Sequence, residues 1–150
     1  MANQNNKIEI ILAPLNGKVT ALEDVPDQTF SEKMMGDGLA IEPTDGKVVS
    51  PVDGEIILTF PSKHAIGIKS KSGIEVLIHI GLETVQMDGE GFELHVKQGD
   101  KVKAGDLLIT FDLQLIKKKA SSHITPVIIT NGESLNSYGK TKDDTVIAGE

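Results

Sequence analysis

The chain contains no cysteine. Disulfides, thiolate-bound zinc, iron–sulfur clusters and thiol catalysis are therefore excluded. Chemistry falls to four histidines, the carboxylates and scattered hydroxyls. Two of the histidines sit in strand-like settings. His64 opens His64-Ala65-Ile66-Gly67-Ile68, and His79 lies near the end of Glu75-Val76-Leu77-Ile78-His79-Ile80. Between them, Ser70-Lys71-Ser72-Gly73 has turn composition. An antiparallel hairpin centred between Lys71 and Ser72 opposes His64 directly to His79, with Cβ atoms roughly 4.5–5.5 Å apart. In that register His64, Ile66 and Ile68 share a face with Glu75, Leu77 and His79, and a slip of one residue sends the two rings to opposite faces. Two imidazoles on an apolar patch beside Gly81 allow two chemistries. They could ligate a metal, with His95, His123 or a carboxylate as third ligand, although no HxH or HExxH spacing accompanies them. Alternatively, one neutral imidazole is a nucleophile and the other orients it or holds the group it accepts. A lone strand histidine is more often a hydrogen-bonded filler; the apposition is what singles these two out. His95 and His123 lack such a setting and read as surface or structural residues. Nothing resembles a nucleophile elbow, so a hydrolase triad has little footing.

The elements that must position this pair are strands. β-Branched Ile and Val together outnumber Leu and Ala, and 15 Gly with 6 Pro are spread along the chain, a composition that favours an all-β domain. Short apolar stretches between turn clusters predict strands over Ile8–Ala13, Gly17–Ala21, Gly38–Pro43, Lys47–Val49, Gly54–Phe60, Ala65–Ser70, Glu75–Ile80, Leu94–Val96, Leu107–Phe111, Thr125–Thr130 and Thr145–Ile147. Pro14-Leu15-Asn16-Gly17, Pro43-Thr44-Asp45-Gly46 and Pro51-Val52-Asp53-Gly54 repeat one tight-turn chemistry ahead of a strand. Asp112 can cap a short helix over Leu113–Ala120, with Lys117–Lys119 near its C-terminal end. A second helical turn follows Asp27 through Ser31.

With 150 residues, 39% apolar and 25% charged, the chain fits a single domain over 1–150 in which residues 1–7 read as a frayed terminus. Its net charge is −7 and all 15 cations are Lys; with 4 Phe and 1 Tyr it is poorly equipped for nucleic acid. No apolar run is long enough to span a bilayer, and the N-terminus has no signal pattern. These features predict a soluble, cytoplasmic protein.

Gly73-Ile74-Glu75-Val76-Leu77-Ile78-His79-Ile80-Gly81-Leu82-Glu83-Thr84-Val85 closely resembles the signature of the enzyme IIA domain, glucose family, of the bacterial phosphoenolpyruvate-dependent sugar phosphotransferase system. Glu23-Asp24-Val25-Pro26-Asp27, Lys33-Met34-Met35-Gly36-Asp37-Gly38, Pro51-Val52-Asp53-Gly54, Lys63-His64-Ala65, Gly89-Glu90-Gly91-Phe92 and Phe111-Asp112-Leu113 follow in family order. The resemblance implies an antiparallel β-sandwich, barrel-like and of the duplicated hybrid motif type, with one or two short helical turns. It implies a monomeric phosphoryl relay: His79 accepts phosphate from the phosphocarrier HPr as a tele-phosphohistidine and yields it to a Cys of enzyme IIB for sugar uptake. His64 maps to the second active-site histidine and stabilises the phosphoryl group, and Ser62 orients His64. Asp27 and Glu83 rim the face that meets HPr, where relatives often have Asp in place of Glu83. Met34, Met35, Ile66, Leu77 and Val85 are candidates for the apolar surround that packs against partners and excludes water.

No metal or organic cofactor is required for such a transfer, although His64 and His79 could bind zinc weakly at a partner interface. A regulatory module that signals sugar supply to target proteins through the same face is the alternative reading, and a His-based zinc enzyme a more distant one. Relatives generally continue past the segment resembling Val146-Ile147-Ala148-Gly149-Glu150 into one more short strand, leaving one sheet edge in question. A biotinyl or lipoyl carrier, suggested by Val96–Asp106, lacks the cofactor-bearing lysine tip, and a lysostaphin-type zinc peptidase lacks its HxH pair.

Overall fold

Short β-branched segments broken by glycine and proline turns dominate the computed structural model, which describes residues 10–132, 140 and 145–149. The strands are β1 (Gly17–Ala21), β2 (Asp37–Pro43), β3 (Lys47–Val49), β4 (Gly54–Thr59), β5 (Ala65–Ser70), β6 (Glu75–His79), β7 (Phe92–Leu94), β8 (Lys101–Val102), β9 (Leu107–Phe111), β10 (Thr125–Ile129) and β11 (Thr145–Val146). They form an eight-stranded sheet in the order β11-β1-β2-β10-β6-β5-β4-β8 and a three-stranded sheet in the order β3-β9-β7. Every pairing of these strands is antiparallel. This is the mostly β, antiparallel two-sheet architecture that the sequence predicts.

The centre of the large sheet is buried on both faces, as alternation along its strands requires. On one face Ile41, Ile66, Ile68, Val76 and Ile78 pack with Val48, Leu108 and Ile109 of the small sheet in the main core. On the other, Ala40, Ala65, Leu77 and Ile128 meet Leu22, Val25 and Phe30 in a second cluster. Each large aliphatic chain fully buried in this way contributes about 1.5–3 kcal/mol relative to exposure.

The cover of the second cluster is a 3₁₀ turn over Leu22–Asp24 followed by α1 (Gln28–Ser31). Asp27 caps α1 by accepting from Thr29 N at 2.9 Å, satisfying one orphan donor of the first turn. At the other end Lys33 N bonds to Phe30 O and Met34 N to Thr29 O. Lys33, at φ +59, takes the left-handed position that closes a Schellman stop. α2 (Leu113–Lys119) is capped by Asp112, which accepts from Leu115 N at 3.1 Å, and carries Lys117, Lys118 and Lys119 in its last turn.

Several boundaries differ from expectation. Residues 8 and 9 lie outside the described residues, as does the N-terminal segment 1–7. Ile10–Ala13 forms no strand; Leu12 N bonds to Pro51 O at 3.0 Å, and Pro14 and Pro51, with no N–H, cannot extend that contact into a ladder. β7 starts two residues before the predicted strand, at Phe92. The 3₁₀ turns over Leu22–Asp24 and Thr84–Met87 and the two-residue strand β8 carry no periodicity from which to read them.

One difference bears on the site. Gly73, at φ +102, ends a three-residue loop in which Gly73 N donates to Ser70 O and Ser70 N to Ile74 O. The glycine supplies the left-handed residue that such loops need. The hairpin is thus centred on Ser72, and β5 pairs with β6 as Ala65↔His79, Ile66↔Ile78 and Gly67↔Leu77. This register is one residue away from the predicted His64–His79 opposition.

Candidate functional site

The slip does not separate the histidines. His64 stands just outside β5, and its ring centroid lies 4.9 Å from that of His79 in an edge-on arrangement at 78°. His79 closes β6 on the face shared with Ala65 and Leu77, beside the second cluster. The pair is flanked by aromatic rings on both sides, with Phe30 5.1 Å from His79 and Phe60 5.4 Å from His64.

Each imidazole is fixed through Nδ1. His79 Nδ1 lies 2.8 Å from the carbonyl oxygen of Gly81. A carbonyl can only accept, so Nδ1 carries the proton and Nε2 keeps its lone pair. Gly81 is at φ +73, and a Cβ there would meet Thr84 Cγ2 at 2.7 Å and Ser122 O at 2.9 Å. Only glycine fits this corner, which Thr84 Oγ1 braces by donating to Ile80 O at 2.6 Å. His64 is 5% exposed, with Nδ1 2.6 Å from Ser62 Oγ.

Burial pushes both imidazoles toward the neutral form. His64 is lowered to about 4, by burial first and then by the neighbouring His79. Burial also lowers His79, partly offset by its bond to Gly81 and by the negative charge of Asp27. Both rings are uncharged at neutral pH, and His79 presents an unprotonated Nε2, the state a nitrogen nucleophile needs.

The other sequence-predicted residues divide. Ser62 is buried against His64. Asp27 caps α1 while its charge reaches His79. Glu83 is exposed, at φ +60, and its carboxylate accepts from Ser121 Oγ at 2.5 Å. Met34, Met35 and Val85 are exposed at 70%, 41% and 55%. Ile66 and Leu77, by contrast, are buried at 0% and 5%. The shifted register turns Ile66 into the main core, while Leu77 keeps the His79 face and is covered there by the second cluster, so neither offers a surface to a partner.

His95 is exposed and hydrogen-bonds Thr110 Oγ1 at 2.9 Å, while His123 precedes β10 with its pKa lowered by burial. Among the described residues, no group of three or more His, Asp or Glu side chains is placed to hold a metal ion. No helix among them is long and apolar enough to cross a membrane. Sequence reasoning missed Phe30, Phe60 and the Gly81 carbonyl.

Comparisons with known proteins place the chain in a family. Residues 9–135 match the family described as phosphoenolpyruvate-dependent sugar phosphotransferase system, EIIA 1. The glucose-specific EIIA component of the phosphotransferase system of Halalkalibacterium halodurans is 59% identical over 142 residues, covering 95% of this chain and 82% of that protein. The component of the same name in Bacillus cereus is 62% identical over 133 residues, covering 89% of this chain and 81% of that protein. Among solved structures, the glucose permease IIA of Mycoplasma capricolum superposes with a TM-score of 0.83 at 44% identity, covering 94% of this chain and 95% of that one.

Proposed function

This chain belongs to the EIIA 1 family of the phosphoenolpyruvate-dependent sugar phosphotransferase system, and from that premise we propose that its phosphoryl relay runs through Nε2 of His79, with glucose uptake as the process served. The relay itself, through a histidine intermediate, is the activity of the family. The donor is the phosphohistidine of HPr and the acceptor a Cys of enzyme IIB.

In the first step the Nε2 lone pair of His79 attacks phosphorus in line. The N–P bond to HPr breaks, and its electron pair returns to the HPr imidazole. In the second, the IIB thiolate attacks the same phosphorus and the His79 Nε2–P bond breaks, restoring the neutral ring. Such transfers depend on positioning and charge stabilisation more than on covalent help from the protein. Ser62 donates its hydroxyl proton to His64 Nδ1, which places the His64 proton on Nε2, where it can bond phosphoryl oxygens. Phe30 and Phe60 limit water at the adduct. Exposed Met34, Met35 and Val85 form the adaptable apolar surface for two different partners, and Asp27 and Glu83 supply charge at its rim.

The observation that carries this reading is the lock of His79 Nδ1 on the Gly81 carbonyl with a second neutral imidazole against the ring. Incubation with phosphoenolpyruvate, enzyme I and HPr tests it. Acid-labile phosphate should map to His79 and vanish in a folded His79→Ala variant. Label on His95 or His123 would refute it.

A further inference from the structure

We propose that Lys63 is a positioning residue of the relay, acting through its left-handed backbone, which carries His64 across to the His79 face. The role in the relay rests on the reading above; the geometry stands without it. The β5–β6 register pairs Ala65 with His79. Continued alternation would send the His64 side chain to the opposite face, beside Ile66 and Ile80 in the main core. The ring instead meets His79, Phe60 and Ser62.

The break falls at His64 itself. Its carbonyl still belongs to the ladder, accepting from Ile80 N at 2.7 Å, while Ile80 O is taken by Thr84 Oγ1. The amide side of His64 belongs to the preceding turn, in which Lys63 N bonds to Phe60 O at 2.9 Å. Lys63 follows that bond at φ +59, a conformation uncommon for a residue with a Cβ and strained further by β-branching. Ser62 and His64 flank this residue and bond to each other across it. Non-glycine residues held left-handed are often found where function needs a particular geometry.

The test separates backbone from side chain. Lys63→Gln keeps a Cβ and removes the charge, Lys63→Gly relieves the left-handed cost, and Lys63→Ile raises it. The readouts are the ¹⁵N signals of the His64 ring in the unphosphorylated protein and the rate of phosphoryl passage to IIB. Gln and Gly should leave the His64 Nδ1 signal in place and the rate within about twofold. Ile should move that signal and slow passage by roughly tenfold, the loss expected of one charge-assisted hydrogen bond. A native His64 signal in Lys63→Ile overturns the proposal, as does a Lys63→Gln variant that behaves like Ile, since charge would then be the cause. Should Lys63→Ile fail to fold, Lys63→Gly decides: its thermal midpoint is expected at or above that of the wild type, and a clear drop overturns the proposal. The ring signals are read without phosphate, so failure of the His79 assignment would show separately.

Discussion

Replacing His64 by Gln should slow the passing of phosphate more than its receipt. At rest the ring is neutral, because burial holds its pKa at about 4. A phosphoryl group on His79 brings negative charge to a ring whose centroid lies 4.9 Å from that of His64. One unit of charge at about 5 Å attracts a proton on His64 by about 3 kcal/mol at an effective dielectric of about 20. That is enough to raise its proton affinity on the order of a hundredfold. Against a resting value of about 4 the neutral form stays in the majority at neutral pH, and a minor fraction of His64 meets the adduct as a charged donor. Gln keeps a donor of similar length but cannot take up the proton. On arrival, the HPr site still supports the group. On departure toward the IIB thiolate, the donors are those of this chain. A hydrogen bond to a charged group contributes about 1.5–3 kcal/mol, so its loss at the second transition state predicts a slowing of roughly ten- to 150-fold. Rapid quench of each half-reaction measures the two rates separately. Equal slowing of both halves would refute the reasoning and reduce His64 to a support for His79.

Folding stability should depend on the same burial. The unfolded chain protonates His64 near 6.5 and the folded one near 4, so stability is full above the first value and falls as pH drops toward the second, by roughly 3 kcal/mol from this group. His79 is lowered too and adds loss in the same direction. Urea midpoints at about pH 7.5 and about pH 4.5 read the effect, and an equal fall in His64→Gln would contradict it. Asp27→Asn with Glu83→Gln should raise the apparent KM for phospho-HPr and flatten its salt dependence; Asn retains the α1 cap, so Asp27→Ala alone should cost a further ~1 kcal/mol of stability. An unchanged salt profile would remove both carboxylates from the HPr face. Zinc should bind the isolated protein weakly, because two imidazoles leave a tetrahedral shell half filled, and phosphorylation should abolish that binding. Calorimetry checks both, and tight stoichiometric binding would revive the metal reading.

Local chemistry was legible in the sequence where one residue carries it. Asp27 and Asp112 marked both helix starts because an N-cap is a single side chain acting within one turn. The β5–β6 hairpin was legible from two apolar runs flanking Ser70–Gly73. Its register was not, since alternation fits either centring and Gly73 settles it through a left-handed φ that only the folded loop displays. The same slip moved Ile66 from the predicted partner surface into the core. The histidines still meet because the chain bends at His64, a compensation that strand periodicity cannot express. Partners set by long-range packing, such as Phe30 on His79, lie 49 residues apart in the numbering and leave no local trace.

The relay depends on which nitrogen of which histidine carries the phosphate. Uniformly ¹⁵N-labelled protein, phosphorylated through enzyme I and HPr, gives the answer by ³¹P–¹⁵N correlation. The bond of His79 Nδ1 to the Gly81 carbonyl predicts phosphorus on Nε2 of His79, with Nδ1 still protonated. Phosphorus on Nδ1 of His79, or on His64, His95 or His123, would contradict it.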